Sequence, residues 1–149
     1  MAVLSLPVAQ RDLVCAELLR DPLLVAVHED RPLAGESVIA PKDLRRERVL
    51  LMRDGHCVRG DMLTVCRRAR VDPGTVFETD QFASIFALVS AGFGVSVVPQ
   101  MAAGGAGGCR LLPLAPPIAR RIGYAHVRSE FVPPAQTAFI RWLKQATRG

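Results

Sequence analysis

The sequence has few aromatic residues, few cysteines and no long apolar run, and each shortage excludes a class of protein. Aromatic side chains make up 5% of the 149 residues, and there are four cysteines. No apolar run approaches the roughly 18 residues that a membrane-spanning helix needs. No N-terminal segment has the basic, apolar and small-residue order of a secretory signal. We therefore expect a cytoplasmic protein with no membrane partner, in which cysteines are normally reduced.

Patterns typical of metal or nucleic-acid binding are also lacking. The histidines and cysteines have none of the paired C-x2-C or H-x3-H spacings of a zinc site, so we expect no metal and no cofactor. The net charge of +5 comes from basic residues spread in ones and twos. Without interleaved aromatic residues, this pattern favours a solvated surface. No segment has the two short helices of a helix-turn-helix.

Half of the residues are hydrophobic, and their pattern alternates between strands and helices. Short runs rich in Val and Leu predict buried strands, and apolar residues three or four apart predict helices. The predicted strands are "MAVLSLP", "LLVAVHED", "RVLLM", "GTVFETD", "FGVSVVP", "CRLLPL" and "RIGYAHVR". The predicted helices begin near Pro41, at His56, after an N-cap at Asp80, and at Pro133 and Pro134. This alternation predicts an α/β sandwich built largely on parallel strands.

Apolar stripes indicate which helix faces are buried. The helix predicted over His56–Arg70 and the helix predicted after Asp80 each carry four apolar residues at helical spacing, and Gly92 is expected to stop the second. The last helix is expected to turn three apolar residues inward. In chain order, the stripes are Val58, Met62, Val65 and Ala69, then Phe82, Ile85, Phe86 and Val89, and then Phe139, Trp142 and Leu143.

The two ends of the chain are predicted to share a lobe. The first strand has no earlier β-α-β unit to pair with, and the last strand and helix also need partners. We therefore expect residues 23–120 to form one complete α/β lobe, and residues 1–22 and 121–149 to form part of a second. The two lobes are expected to be joined by crossing segments near Arg20–Leu23 and Arg120–Ile122.

Cys57 is the thiol whose surroundings favour reactivity. Thiolates are stabilised at helix N-termini and beside cations, and Cys57 lies at the predicted start of a helix between His56 and Arg59. An adjacent His–Cys pair is poorly placed for protease chemistry, because a base must reach the thiol from the side. The residues alone leave open an inert packing role, which we expect for Cys15 and Cys109, or a reactive thiol at Cys57.

Two stretches resemble the effector-binding domain of LysR-type transcriptional regulators. They are "EDRPLAGESVIAPKDLRRERVLLMRDGHCVRGDMLTVC" and "FETDQFASIFALVSAGFGVSVVP". Within the first, "DGHC" followed by a cysteine nine residues later is similar to the OxyR hydrogen-peroxide sensors. The resemblance implies a periplasmic-binding-protein-like (type II) α/β fold with an effector site in the cleft between two subdomains. These residues would supply one complete subdomain and part of a second, without the N-terminal DNA-binding helix-turn-helix domain.

The resemblance also implies a set of site residues. Cys57 occupies the position of the peroxide-reactive cysteine, and Cys66 occupies that of the resolving cysteine, which implies a Cys57–Cys66 disulfide after oxidation. The other matched site residues are His56, Arg59 and Arg120. The two guanidinium groups are expected to face the cleft and to favour a thiolate at Cys57.

Other positions bear on the alternatives. Asp80 and Gln81 are candidates for hydrogen bonds to an effector from a helix N-terminus, although capping also explains Asp80. Gly60 stands where OxyR sensors usually carry Asp, and Val76 stands where they carry a histidine. Three functions therefore stay open: a peroxide-sensing regulatory domain, a LysR-type domain that binds a small organic effector, and a thiol-dependent peroxidase.

The resemblance favours a regulator of transcription over an enzyme. The implied protein responds to oxidative stress, is reset by a cellular thiol reductant and forms a homodimer. If His56–Arg70 is one helix, Cys57 and Cys66 lie about 13.5 Å apart along its axis and on opposite faces. A disulfide needs Cα atoms within about 4.4 to 6.8 Å, so the sensor interpretation predicts that this helix unwinds on oxidation.

Overall fold

A computed structural model describes residues 1–70, 78–129 and 131–147 of the chain. The strands are β1 (Ala2–Leu6), β2 (Leu13–His28), β3 (Val49–Met52), β4 (Glu78–Thr79), β5 (Val95–Pro99), β6 (Cys109–Pro113) and β7 (Ala119–Val127). The helices are α1 (Arg59–Ala69), α2 (Phe82–Ser90) and α3 (Pro134–Ala146), with short 3₁₀ helices at Pro32–Gly35, Pro41–Arg46 and Gln100–Gly105. None of the described helices is long and apolar enough to cross a membrane.

The chain divides into two compact units. The terminal unit consists of Met1–Asp21 and Arg120–Gly149, and the central unit is Pro22–Ala119. β2 begins in the terminal unit and continues into the central unit, which makes it far longer than the strand predicted from "LLVAVHED". Its first half mixes half-buried and exposed residues without strict alternation, and charged and small side chains among them hide the strand pattern in the sequence.

The central unit is a mixed sheet, and the prediction of largely parallel strands is wrong for it. β3 runs parallel to β4 and to β5, while β2 runs antiparallel to β5 and to β6. The parallel strands follow one another through α1 and α2, and such helical crossovers produce parallel pairs. β2 instead enters directly from the terminal unit, so no crossover helix fixes its direction.

The core of the central unit lies between this sheet and the helices. All four residues of β3 and all five of β5 are buried. The predicted apolar stripe of α1 is confirmed, because its four residues are fully buried, and so is the stripe of α2, which is buried at Ile85, Phe86 and Val89. The short helix predicted near Pro41 is a 3₁₀ helix, and it packs Leu44 against the same core.

Two glycines are required where α2 leads into β5. Gly92 ends α2 with a positive φ of 78°, which only glycine adopts without strain. Gly94 passes so close to the neighbouring chain that an added Cβ would lie 2.4 Å from the carbonyl oxygen of Arg48. The "AGFG" segment therefore fixes the entry of β5 beside β3.

The terminal unit contains β1, β7 and the first half of β2, with β7 in the middle. β1 pairs antiparallel with β7, from Ala2 opposite Ala125 to Leu6 opposite Arg121. α3 contains no buried residue. The expectation that its apolar residues face inward is wrong: Phe139 is 44% exposed and Trp142 is 59% exposed, and Leu143 is half-buried.

Candidate functional site around Cys57

Cys57 lies in a turn before α1. The helix was predicted to begin at His56, and this is wrong because α1 begins at Arg59. The backbone N–H of His56 donates to Arg53 O at 3.2 Å, and that of Arg59 donates to His56 O at 3.0 Å. The N–H of Val58 also lies 3.4 Å from His56 Nδ1, which accepts its hydrogen bond. These bonds close the turn and leave the Cys57 thiol exposed.

Cys66 lies on the buried face of α1 and is 1% exposed. Burial raises the pKa of its thiol, because the apolar core disfavours the thiolate. Cys57 and Cys66 are both reduced thiols. From Arg59, the first helical residue, to Cys66 is roughly 10 Å along the helix axis at about 1.5 Å per residue. With α1 intact, the two cysteines are therefore beyond the reach of a disulfide.

The Arg59 guanidinium lies close to three oxygen atoms. Its Nε lies 2.7 Å from Asp54 Oδ1, and its Nη1 lies 2.7 Å from Glu78 Oε1. Nη1 also donates to the carbonyl oxygen of Met52 at 2.5 Å. The side chain is only 15% exposed. Two carboxylates therefore neutralise the cation that was expected to favour a thiolate, and the guanidinium ties the start of α1 to the ends of β3 and β4.

His56 links the same turn to α2. Its half-buried ring meets the ring of Phe82 edge to face, with 5.5 Å between the centroids and 89° between the planes. An edge-to-face pair of this kind fixes the orientation of both rings. The turn that carries Cys57 is thus anchored at two points. His56 contacts Phe82 of α2, and Arg59 pairs with Glu78 of β4.

Arg120 is a matched site residue of the terminal unit. Its Nε lies 2.8 Å from Asp21 Oδ2, with Arg120 11% exposed and Asp21 1% exposed. A charge as buried as that of Asp21 requires a cation or hydrogen-bond donors beside it. The Arg120 guanidinium supplies this compensation.

Asp80 and Gln81 both lie exposed between β4 and α2. The prediction that Asp80 caps α2 is wrong, because Gln81 is the capping residue and makes no side-chain cap bond. The N–H of Gln81 instead lies 3.3 Å from Thr79 Oγ1, which accepts its hydrogen bond. The predicted cap was therefore one residue too early. The backbone N–H of Gln81 is paired with the Thr79 hydroxyl and not with the Asp80 side chain.

The remaining positions singled out from the sequence have different surroundings. Cys15 is exposed, so the expectation of a buried packing role is wrong for it. Cys109 is half-buried, and its thiol donates to the carbonyl oxygen of Phe86 at 3.4 Å. Gly60 lies in the first turn of α1 with open space beside it, and Val76 lies outside the described residues. Within the described ranges, no group of three or more His, Cys, Asp or Glu residues is placed to hold a metal ion.

Two members of this site, Asp54 and Glu78, were not predicted from the sequence. Asp54 is close to Arg59 in the chain but resembles any polar turn residue, and Glu78 is 19 positions away. Only the parallel pairing of β3 with β4, which sets Leu51 opposite Glu78, brings that carboxylate to the start of α1.

Comparison with known proteins places the chain among LysR-type proteins. A family model described as the LysR substrate binding domain matches residues 1–148. The DNA-binding transcriptional dual regulator OxyR of Escherichia coli K12 is 33% identical over 85 residues, which are 57% of this chain and 28% of that protein. The hydrogen peroxide-inducible genes activator of Dickeya chrysanthemi is 29% identical over 101 residues, or 68% of this chain and 33% of that protein. The chain spans less than half the length of these relatives.

Solved structures give the same fold. The regulatory domain of CcmR from Synechocystis PCC6803, in complex with 2-PG, superposes with a TM-score of 0.86 at 26% identity, over 99% of this chain and 73% of that one. The reduced form of the OxyR regulatory domain from Pseudomonas aeruginosa superposes with a TM-score of 0.78 at 28% identity, over 98% of this chain and 70% of that one. The fold is thus the periplasmic-binding-protein-like α/β fold of LysR-type effector domains.

Proposed function

We propose a function from one premise: this chain belongs to the LysR substrate binding domain family and is a LysR-type regulatory domain. Its relatives include the DNA-binding transcriptional dual regulator OxyR and an activator of hydrogen peroxide-inducible genes. The proposed function is the sensing of hydrogen peroxide by Cys57, within a longer, cytoplasmic and homodimeric regulator that binds DNA through residues outside this chain. The terminal unit is proposed to be part of its first subdomain.

The observation that carries the proposal is the different exposure of two thiols beside one helix. Cys57 lies exposed in the turn before α1, and Cys66 lies buried on α1. Sensor cysteines must be accessible, and they often have a second cysteine that resolves the oxidised product. The fixed turn, with His56 on one side and Arg59 on the other, gives the Cys57 thiol a defined position.

The proposed chemistry has two steps. The Cys57 thiolate attacks one oxygen of hydrogen peroxide, the O–O bond breaks, and the products are a sulfenic acid and, after protonation, water. The Cys66 thiolate then attacks the Cys57 sulfur, which forms the disulfide and releases a second water. Peroxide is reduced by two electrons, and the two thiols are oxidised. A cellular thiol reductant resets the pair by thiol–disulfide exchange.

The experiment treats the reduced chain with one equivalent of hydrogen peroxide and maps its tryptic peptides. Cleavage after Arg53, Arg59 and Arg67 releases Asp54–Arg59 with Cys57 and Gly60–Arg67 with Cys66. We expect these two peptides to be recovered linked, with the loss of two free thiols and a fall in helical circular dichroism as α1 opens.

The matched control uses the other exposed cysteine. Cys57→Ser should abolish the linked peptide and the loss of helix, whereas Cys15→Ser should leave both unchanged, because Cys15 is exposed but lies far from Cys66 in sequence, on β2. A wild-type chain that keeps all four thiols would disprove the proposal. Sustained peroxide consumption with a reductant would instead identify a thiol-dependent peroxidase.

A second candidate function is the binding of a small organic effector. The ion pairs of Arg59 favour it, since Asp54 and Glu78 already neutralise the cation next to Cys57. The similar CcmR regulatory domain has a solved complex with the small molecule 2-PG. A chain that loses no thiol to peroxide, but melts at a higher temperature with a small organic acid, would support this alternative.

A further inference from the structure

The net positive charge of the chain lies entirely in one segment. Residues 41–70 contain nine Lys and Arg side chains and four Asp and Glu side chains, which gives +5. The rest of the chain contains ten of each sign and is neutral. The segment comprises the second 3₁₀ helix, β3 and α1. The charge is therefore concentrated, although the sequence pattern suggests that it is dispersed.

The fold brings much of this charge to one face of the central unit. The 3₁₀ helix Pro41–Arg46 packs on α1, and Arg45 Nε donates to the carbonyl oxygen of Ala69 at 2.8 Å. The exposed cations of the 3₁₀ helix thereby join those at the C-terminal end of α1. We name this set the basic face; it consists of Lys42, Arg45, Arg46, Arg67, Arg68 and Arg70.

The two carboxylates nearest to the basic face in sequence, Asp43 and Glu47, have partners outside it. Asp43 accepts a hydrogen bond from the N–H of Ala40 at 2.9 Å, where it caps the 3₁₀ helix. Glu47 forms an ion pair with Arg31. Across the part of the chain that the structure describes, neither carboxylate forms an ion pair with a member of the basic face.

Local helix stability explains only part of this arrangement. Arg67 and Arg68 lie in the last turn of α1, where cations stabilise the helix dipole. That argument does not apply to Lys42, which is in the first turn of its own helix, where a cation is unfavourable. Local helix stability therefore does not account for Lys42.

We propose that the basic face binds the phosphate backbone of duplex DNA. Five of its six members are arginines, whose planar guanidinium groups bind phosphate oxygens with two hydrogen bonds. The face includes no aromatic side chain on which unpaired bases could stack, so it suits a duplex rather than a single strand. Such contacts are independent of base sequence and position a protein on DNA.

This inference rests on the proposed function in one respect. A regulator that binds DNA through another domain holds its regulatory domain near the same duplex, where weak backbone contacts act at high effective concentration. The contact itself needs no cysteine chemistry. Its test therefore contains no peroxide, and failure of one proposal leaves the other standing.

The experiment measures binding of the reduced chain to a fluorescent duplex of about 30 base pairs and arbitrary sequence, by anisotropy over a range of salt concentrations. The variant Lys42→Gln/Arg46→Gln/Arg68→Gln removes three exposed cations that hold no described ion pair. We expect it to bind more weakly and to reduce the slope of log K against log salt by roughly 2 to 3, since each phosphate contact contributes about 0.9.

The matched control removes the same charge elsewhere. Arg11→Gln/Arg110→Gln/Arg141→Gln replaces three exposed arginines outside residues 41–70, and it should bind DNA like the wild type. Circular dichroism melts establish that both variants are folded. If the two variants lost DNA affinity equally, only total charge would matter and the proposal would be overturned. The absence of DNA binding by the wild type at low salt would also overturn it. Tighter binding of a glutamate-rich peptide than of DNA at equal charge would assign the face to an acidic protein instead.

Discussion

At the residue scale, the two thiols of the candidate site differ in exposure and therefore in chemistry. The thiolate is the form of cysteine that reacts with peroxide and disulfides. Cys57 is exposed on its turn, while burial raises the pKa of Cys66 and keeps it protonated. The proposed order of reaction follows from this difference: Cys57 is oxidised first, and Cys66 then forms the disulfide. Cys66 must leave the core before it can ionise and attack.

The raised pKa of Cys66 predicts a loss of stability at alkaline pH. The unfolded thiol has a pKa of about 8.5, and the folded thiol has a higher one, so the folded state binds the proton more tightly. This stabilisation is fully present below pH of about 8.5 and is lost as the pH rises through the folded pKa. We measure the free energy of unfolding with urea between about pH 7 and pH 10. It should fall less steeply with pH for Cys66→Ala than for Cys15→Ala. If the free energy of unfolding fell equally in the two variants, Cys66 would not be the source of the alkaline loss of stability.

At the element scale, α1 connects the candidate site with the core. Its buried face includes Met62, Val65 and Cys66, and its first residue is tied to β3 and β4 through Arg59. Opening the N-terminal turns releases Cys66 and breaks the pairing between Arg59 and Glu78. Oxidation of Cys57 is therefore expected to alter the β4–α2 segment as well as α1.

Gly60 makes the first turn of α1 easier to open. An added Cβ at this position meets no atom within 4 Å, and alanine stabilises a helix interior by about 0.5 to 1 kcal/mol relative to glycine. Gly60→Ala should raise the free energy of unfolding by this amount and slow disulfide formation, without slowing loss of the Cys57 thiol. Stopped-flow thiol and disulfide assays separate the two steps. The control Gly104→Ala, also unhindered, should change neither rate; a disulfide step unaffected by Gly60→Ala would argue against unwinding.

Sequence periodicity predicted the buried faces of α1 and α2, because side chains three or four residues apart share a face wherever the helix begins. It failed at the start of α1, which depends on the hydrogen bond from Val58 N–H to His56 Nδ1 and on the pairing of Arg59 with Glu78. The prediction of largely parallel strands failed at β2, because its direction depends on how the chain enters the central unit. These features arise from contacts that no local pattern encodes.

At the scale of the whole molecule, the basic face and the exposed aromatic residues of α3 lie in different units. The central unit contains the basic face, whereas the terminal unit exposes Phe131, Phe139 and Trp142. Phe139 and Trp142 stack with 5.7 Å between ring centroids. α3 is joined to β7 by Lys144, whose Nζ lies 5.8 Å from the centre of the Tyr124 ring. Association through the basic face should therefore weaken as salt is added, whereas association through the apolar side chains of α3 should not, because salt screens charges but not apolar contacts.

The exposed aromatic residues of α3 predict that the chain self-associates. Exposed apolar patches commonly mark association sites, and a stable dimer buries roughly 1,200 to 2,000 Å². Sedimentation of the wild type should show species larger than the monomer that persist at high salt, while Phe139→Gln/Trp142→Gln should shift the population toward the monomer. Phe93→Gln is the matched control, because Phe93 is 55% exposed but belongs to the central unit. A wild type that stays monomeric at high concentration and melts in one sharp transition would show that the terminal unit is stable with these side chains in water.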